Sequence, residues 1–482
     1  MKHTFEINMT NGSIKGKMLI FALPLILTNV LQMMFNAVDM IVAGRFIGDE
    51  ALAAVGSNSS LINLLISVFI GIAMGINVTA AQYYGAGKRK SVTETACTAV
   101  LLAIICGILL AILAIVGAQT FLRLMDVPDE IMPLSLTYLR VYFIGMPAVM
   151  LYNFCSALLR AVGDTRRPMY ILMMAGIINM VLDILFVQVF HFGIAGIAVA
   201  TVISQFVSGA CVMACVLASG LLMNLNDSKI GIYKEPLIKI LRLGLPSGVQ
   251  GALFSVSNVL IQSAINGFGA AVVAGNTAAV NIENYVYYTM NGFSQATLSF
   301  CSQNYGAGDR KRIKKSIWAS VAYVIISGVI VGGLCMLCGS FLMHIFTDNE
   351  QAVALGVRRL HIICSTYFLC GLMEVMVSSM RGMGISLSPM LVSLAGACGF
   401  RILWLRTVFQ IPRFHIIDVV FLSYPVTWFV TFVAQMVMLM FFWRRKREGS
   451  SKDVVQGACR NRRYQGEPCS QVQSSWSHRE DA

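Results

Sequence analysis

The stretches QYYGAGKRK at 82–90 and QNYGAGDRK at 303–311 are near-copies, standing 303 − 82 = 221 residues apart in a chain of 482. The same offset carries Arg160, Gly163, Pro168 and Met169 of LLRAVGDTRRPM onto Arg381, Gly384, Pro389 and Met390 of MRGMGISLSPM. Near the start of each half the pairs Leu23-Pro24 and Leu245-Pro246 repeat at 222, one inserted residue away. The chain is therefore a doubled unit. Doubling on this scale in an apolar chain is the pattern of transporters, in which two half-bundles rock about one central site.

Composition points the same way. Hydrophobic residues make up 57% and charged residues 12%, with mean hydropathy +0.73, whereas a soluble domain carries about 25% charged residues. A bilayer core takes about 20 apolar residues per helix, and twelve such segments can be marked: 18–43, 51–80, 93–119, 131–157, 168–190, 193–223, 237–265, 276–301, 316–340, 354–378, 389–411 and 417–443. The expected fold is an all-α polytopic membrane protein with twelve transmembrane helices in two six-helix lobes. Its expected divisions are a first lobe at 1–223, a polar linker at 224–236, a second lobe at 237–447 and a disordered tail at 448–482, where glycine, serine and charge replace apolar periodicity. The opening segment resembles a signal peptide only in its lysines. It is too long, and it carries Asn29, Gln32, Asn36 and Asp39, so it reads as a retained helix.

Every second break between segments is basic: Lys15 and Lys17, Lys88 to Lys90, Arg160 with Arg166 and Arg167, Lys229 to Arg242, Arg310 to Lys315, Arg381, and Arg444 to Arg447. The alternate breaks hold few cations or are acidic, as in DVPDE at 126–130 and TDNE at 347–350. By the positive-inside rule both termini are expected in the cytoplasm. Because six helices separate equivalent positions, the repeats run parallel, related by an axis along the membrane normal. The net charge of +13 then belongs to loops lying near anionic lipid, and nucleic acid is not an expected partner.

Several chemistries find no motif. Eleven of the thirteen cysteines lie in or at helices, and Cys335 and Cys338 form a CxxC inside an apolar helix without paired histidines, which reads as packing. GAGKRK lacks the upstream glycine and the Ser/Thr of a phosphate-binding loop, and no GxSxG or HExxH occurs. No cofactor is expected. The energy source left is an ion gradient.

Acids in apolar helices are the informative residues, since a charge at bilayer depth costs ~2.5–3.5 kcal/mol even on the mild insertion scale. Asp39 shares a helical face with Gln32 and Asn36, and Asp183 shares one with Asn179 four residues earlier, while Thr201 can add a hydroxyl to the same pocket. The second half has no acid at the equivalents of Asp39 or Asp183. It carries instead Glu283, Tyr287 and Asn291 at i, i+4 and i+8, with Tyr288 beside them, and Glu374 on the tenth segment, for which Arg401 is a possible partner. An acid among tyrosines suits organic cations, by charge and by ring face.

MTNGSIKGKMLIFALPLILTNVLQMMFNAVDMIVAGRFIGDEALAAVG, the YGAG loops of both halves and LLRAVGDTRRP together resemble the multidrug and toxic compound extrusion (MATE) family over about 10–447. The resemblance implies cation-coupled export by two six-helix lobes in the cytoplasmic (inner) membrane of a bacterium. It also implies a cation-coupling site at Asp39, Asn179, Asp183 and Thr201, with Gln32 nearby and Pro24 where the first helix bends. The coupling ion is a proton or sodium, the latter held at Asp39 and Asp183. Members with a second-lobe sodium site use an acid on the seventh helix, and GLPSGVQGALFSVSNVLIQ has none. The expected cargo is cationic or amphipathic organic compounds, the surroundings membrane lipid, and the protein a monomer. A lipid-linked saccharide flippase and a membrane-embedded enzyme using Asp39 and Asp183 are the alternatives; only an enzyme would convert substrate without a gradient.

Overall fold

The computed structural model describes residues 5–222 and 231–464, with side chains to 444. The first half runs α1 (Ile14–Phe46), α2 (Asp49–Gly85), α3 (Arg89–Leu124), α4 (Met132–Ile144), α5 (Met146–Ala161), α6 (Arg166–Ile184) and α7 (Gly193–Ala218). The second runs α8 (Lys234–Asn266), α9 (Ala270–Gly306), α10 (Arg310–Leu337), α11 (Gly339–His344), α12 (Glu350–Cys364), α13 (Tyr367–Gly382), α14 (Leu387–Ser393), α15 (Phe400–Arg406) and α16 (Ile417–Tyr464). Most of the linker, 223–230, and the chain end, 465–482, lie outside the described residues. The helix α16 continues past Arg447 into the segment read as a tail.

These elements make twelve crossings. Nine helical runs among the described residues are long and apolar enough to span, and the pairs α4–α5 and α12–α13, bent by 49° and 45°, add two more. The twelfth is α9, whose 37 residues extend about 55 Å at the α-helical rise. Its buried Asn276 and Glu283 lower its hydropathy without shortening it. The bend between α4 and α5 falls at Gly145, just before Pro147, which supplies no backbone donor to the preceding turn. At the other bend Thr366 Oγ1 donates to the carbonyls of Ile362 and Ile363, giving the backbone an alternative to the helix. Outward faces are bare hydrocarbon, as Leu109, Ile112 and Val116 on α3 and Val329, Ile330 and Leu337 on α10 illustrate.

The YGAG motif has a physical explanation in each half. Gly87 (φ +71°) and Gly308 (φ +74°) take the left-handed conformation that ends a helix. Lys88 N then donates to Tyr83 O and Gly87 N to Tyr84 O, and in the second half Asp309 N donates to Asn304 O and Gly308 N to Tyr305 O, the Schellman pattern. The other glycine of each motif permits a close crossing. A Cβ at Gly85 would lie 2.0 Å from Gln303 O, and one at Gly306 2.0 Å from Gln82 O. Both glutamines reach across to the opposite half: Gln82 Nε2 donates to Gly382 O at 2.8 Å and Gln303 Nε2 to Ala161 O at 2.7 Å. The two acceptors are themselves 382 − 161 = 221 residues apart.

The segment before α1 is stitched into this end of the bundle. Ile7 N donates to Gly163 O at 3.2 Å, while Met9 O accepts from Arg312 Nη2 at 2.9 Å and from Asn304 Nδ2 at 3.3 Å. Among the described residues the hydrogen bonds joining the halves run from here to mid-helix, where Asn29 Nδ2 meets Tyr288 O at 3.4 Å. Helix α1 passes through Pro24 without interruption. Nearby, Thr165 Oγ1 donates to Phe21 O and Thr28 Oγ1 to Pro24 O, partners for carbonyls in the turns around a residue that breaks the helical ladder.

Candidate functional site

Asp39 on α1 and Asp183 on α6 are brought face to face by one close packing contact. Gly176, seven residues before Asp183, accepts the ring of Phe35, four residues before Asp39; a Cβ there would sit 1.9 Å from the ring. The two carboxyl groups lie within hydrogen-bonding reach of each other. Asp39 is 7% exposed and Asp183 fully buried, and Asp39 Oδ1 and both Asp183 oxygens have no hydrogen-bond donor. Buried carboxylates without donors need a compensating positive charge between them, a proton or a metal cation.

The expected companions divide. Asn179 Nδ2 and Thr201 Oγ1 meet at 3.5 Å, with the Thr201 hydroxyl donating to Ile197 O at 2.9 Å. Gln32 and Asn36 are exposed, whereas Asp39 on the same helix is buried. The sequence reading missed Tyr138 and Tyr142 on α4, whose rings stack at 5.9 Å and 22° and adjoin the two acids. Their i, i+4 spacing was the available signal. Gln205 on α7 reaches Tyr142.

The second half is built differently from its sequence outline. Glu283 on α9 is not a free acid: Arg359 on α12 holds both its oxygens, Nε to Oε1 and Nη2 to Oε2 at 2.9 Å each, and donates Nη1 to Asn276 Oδ1 at 2.8 Å. The Arg359 guanidinium also faces the rings of Phe421 and Tyr424 at 5.1 and 5.2 Å. Arg359 went unread in the sequence, although an arginine inside an apolar segment is as costly as an acid. Arg381, read as a loop cation, lies within α13 and is buried. It donates to Gln250 Oε1 at 2.8 Å, and it is the cation facing Glu374. This corrects the pairing of Glu374 with Arg401, because Arg401 turns to Thr427 Oγ1 at 3.2 Å and the Tyr424 ring at 4.2 Å.

Of the remaining candidates, Tyr287 lies near Asn291 and Glu374, and its ring is 5.6 Å from that of Tyr288. The eleven described cysteines are free, and no cluster of three metal-ligating side chains occurs among the described residues.

A doubled twelve-crossing bundle, with opposed buried acids in one half and paired charges in the other, defines a membrane transporter rather than a receptor or an anchored domain. The model of the MatE family matches residues 24–185 and 246–404, one stretch per repeat, and the chain belongs to this family, the multidrug and toxic compound extrusion transporters. It is 28% identical over 442 residues to "Probable multidrug resistance protein YoeA" of Bacillus subtilis, covering 90% of this chain and 95% of that protein. It is likewise 28% identical to "Probable multidrug resistance protein NorM" of Thermotoga maritima, over 79% of this chain and 82% of that one. Among solved structures, the outward-facing conformation of a multidrug resistance MATE family transporter of the MOP superfamily matches with TM-score 0.83 at 22% identity, covering 94% of this chain and all of the other. That likeness is one of fold.

Proposed function

We propose that this transporter exports amphipathic organic compounds by antiport, with the Asp39–Asp183 pair exchanging its charge-compensating cation, a proton or sodium, between the two sides of a bacterial inner membrane. The observation that carries the reading is the pair itself: two opposed carboxyls with three of their four oxygens buried and without donors. Such a pair changes its preferred packing when a cation enters or leaves. It therefore couples occupancy to the arrangement of α1 and α6. One monovalent cation moving inward supplies ~2.3 kcal/mol per 100 mV of membrane potential, enough to bias a two-state equilibrium more than tenfold.

By the pattern of basic breaks, the YGAG end and both termini belong on the cytoplasmic side. The halves are hydrogen-bonded to each other at that end, so in this reading the structure is closed toward the cytoplasm. An organic cation as cargo has less to rest on than the sequence suggested, because Glu283 is held by Arg359 and Glu374 lies in the field of Arg381. We take the transporter to act as a monomer.

The test is cargo-dependent ion flux in proteoliposomes under separately imposed proton and sodium gradients. Export driven by one of these gradients and abolished by its collapse is the expected result. Export indifferent to both, or chemical conversion of the cargo, would remove the antiport reading.

A further inference from the structure

We propose that Arg401 is an anion-binding residue of the second half and takes an oxyanion, a carboxylate or phosphate, carried by the exported compound. This rests on the export reading above and names the chemistry of its cargo. The charges of the second half do not balance. Among the described residues three arginines are buried there, Arg359, Arg381 and Arg401, against one buried acid, Glu283, and the half-buried Glu374. Arg359 consumes both oxygens of Glu283, and Arg381, bonded to Gln250, is the cation whose charge reaches Glu374. Arg401 is the surplus.

The residue is 6% exposed, and its guanidinium makes one hydrogen bond, from Nη2 to the Thr427 hydroxyl at 3.2 Å, while Nε is buried without an acceptor. Tyr424, Cys398 and Cys370 adjoin it together with a second cation, Arg359, and no ion pair joins it to a carboxylate among the described residues. Tyr424 covers one face of the guanidinium, leaving the Nε edge without an acceptor. A guanidinium offers five N–H donors in a fixed fork that matches a carboxylate or phosphate. Ser257 of α8 offers a second donor nearby: its buried hydroxyl has no oxygen or nitrogen partner and lies against the Cys398 thiol, which also adjoins Arg401.

The backbone is arranged for this residue. The segment Leu394–Gly399 between α14 and α15 forms a wide π-helical turn immediately before it, a local departure from the α-helix that recurs at functional sites. By the repeat offset Arg401 corresponds to residue 180, within one helical turn of Asp183. The helix that presents a negative group in the first half presents a positive one in the second, so a cation and an organic anion have separate places.

The experiment uses the purified full chain and two dyes, fluorescein as the carboxylate probe and ethidium as the cationic control, with binding read by fluorescence polarisation in the absence of any gradient. Arg401→Gln is expected to weaken fluorescein binding about tenfold or more, the scale of a lost charge-assisted hydrogen bond, and to leave ethidium unchanged; Arg401→Lys should recover part of the loss. Ser257→Ala, a substitution with little consequence for folding, should weaken fluorescein binding about threefold, the scale of one neutral hydrogen bond. Melting temperature separates site from scaffold. Removing an uncompensated buried charge should leave it unchanged or raised, whereas a purely structural Arg401 predicts a fall. Fluorescein that does not bind the wild type, or that binds Arg401→Gln and Ser257→Ala as tightly, overturns the proposal. Gradient-driven transport of the same dyes reads the antiport mechanism independently, so intact binding without transport would refute that mechanism and leave the anion site standing.

Discussion

At the scale of single residues the two halves use buried charge in opposite ways, and substitutions should separate them. Asp39→Asn keeps the shape of the side chain and removes the site for one charge. Under the proposed antiport, in which this acid serves the ion, it is expected to abolish gradient-driven export while leaving equilibrium cargo binding within about threefold of wild type. Retained coupled export in that variant would remove Asp39 from the mechanism. At the other pair, Arg359→Met strands the Glu283 carboxylate, and breaking one side of a buried ion pair costs about 3–5 kcal/mol. The double variant Arg359→Met with Glu283→Leu should recover most of the lost thermal stability, as a thermal melt of detergent-purified protein would show. Asp39 and Asp183 were legible because an acid in an apolar run is too costly to face lipid and must meet a cavity, an ion or a partner. What hid Arg359 and Arg381 was their company: one sits in a paired Arg358-Arg359 near the start of the expected segment 354–378, the other where a basic loop was expected, and both turn inward only in three dimensions.

At the scale of elements the hydropathy profile located the crossings and concealed their breaks. A window of about 20 residues averages across the bend at Gly145, so 131–157 reads as one helix where α4 and α5 are two. The profile is equally blind to what lets helices approach. Helices α2 and α8 cross glycine against glycine: a Cβ at Gly71 would lie 2.2 Å from Gly248 N, one at Gly75 2.4 Å from Ile240 O, and one at Gly248 2.5 Å from Val68 O. The opposing atoms are backbone, which cannot swing aside. Gly248→Val therefore forces the helices apart and should destabilise the protein by about 1–3 kcal/mol, the usual consequence of overpacking. A melting temperature equal to wild type would show that α2 and α8 slide apart freely. Gly251, one turn along α8, has 3.7 Å to Ser67 Cβ, and Gly251→Ala is the matched control expected to be neutral.

At the scale of the whole molecule the doubled sequence becomes a doubled contact, and orientation and closure can be tested at the same place. In a cysteine-free variant a single cysteine at Lys88 or Lys314 should react only with reagents on the cytoplasmic side; labelling of either from outside intact cells would invert the topology. With the YGAG end inside, the reciprocal bonds Gln82 Nε2 to Gly382 O and Gln303 Nε2 to Ala161 O hold the cytoplasmic ends of the two halves together, and they must part for cargo to enter from that side. Gln303→Leu removes one bond and leaves the buried Ala161 carbonyl without that donor, a loss of about 1–3 kcal/mol felt only in the closed state, because water reaches the carbonyl once the halves separate. Since 1.4 kcal/mol is a factor of ten in population, the closed fraction should fall about fivefold to a hundredfold relative to the open one. Gln82→Leu should do the same, because the two contacts are related by the repeat. Spin labels at positions 88 and 314 would read the change as a longer-distance population absent from the wild type. Identical distance distributions in wild type and both variants would show that the glycine crossings at Gly85 and Gly306, not the glutamines, keep this end shut.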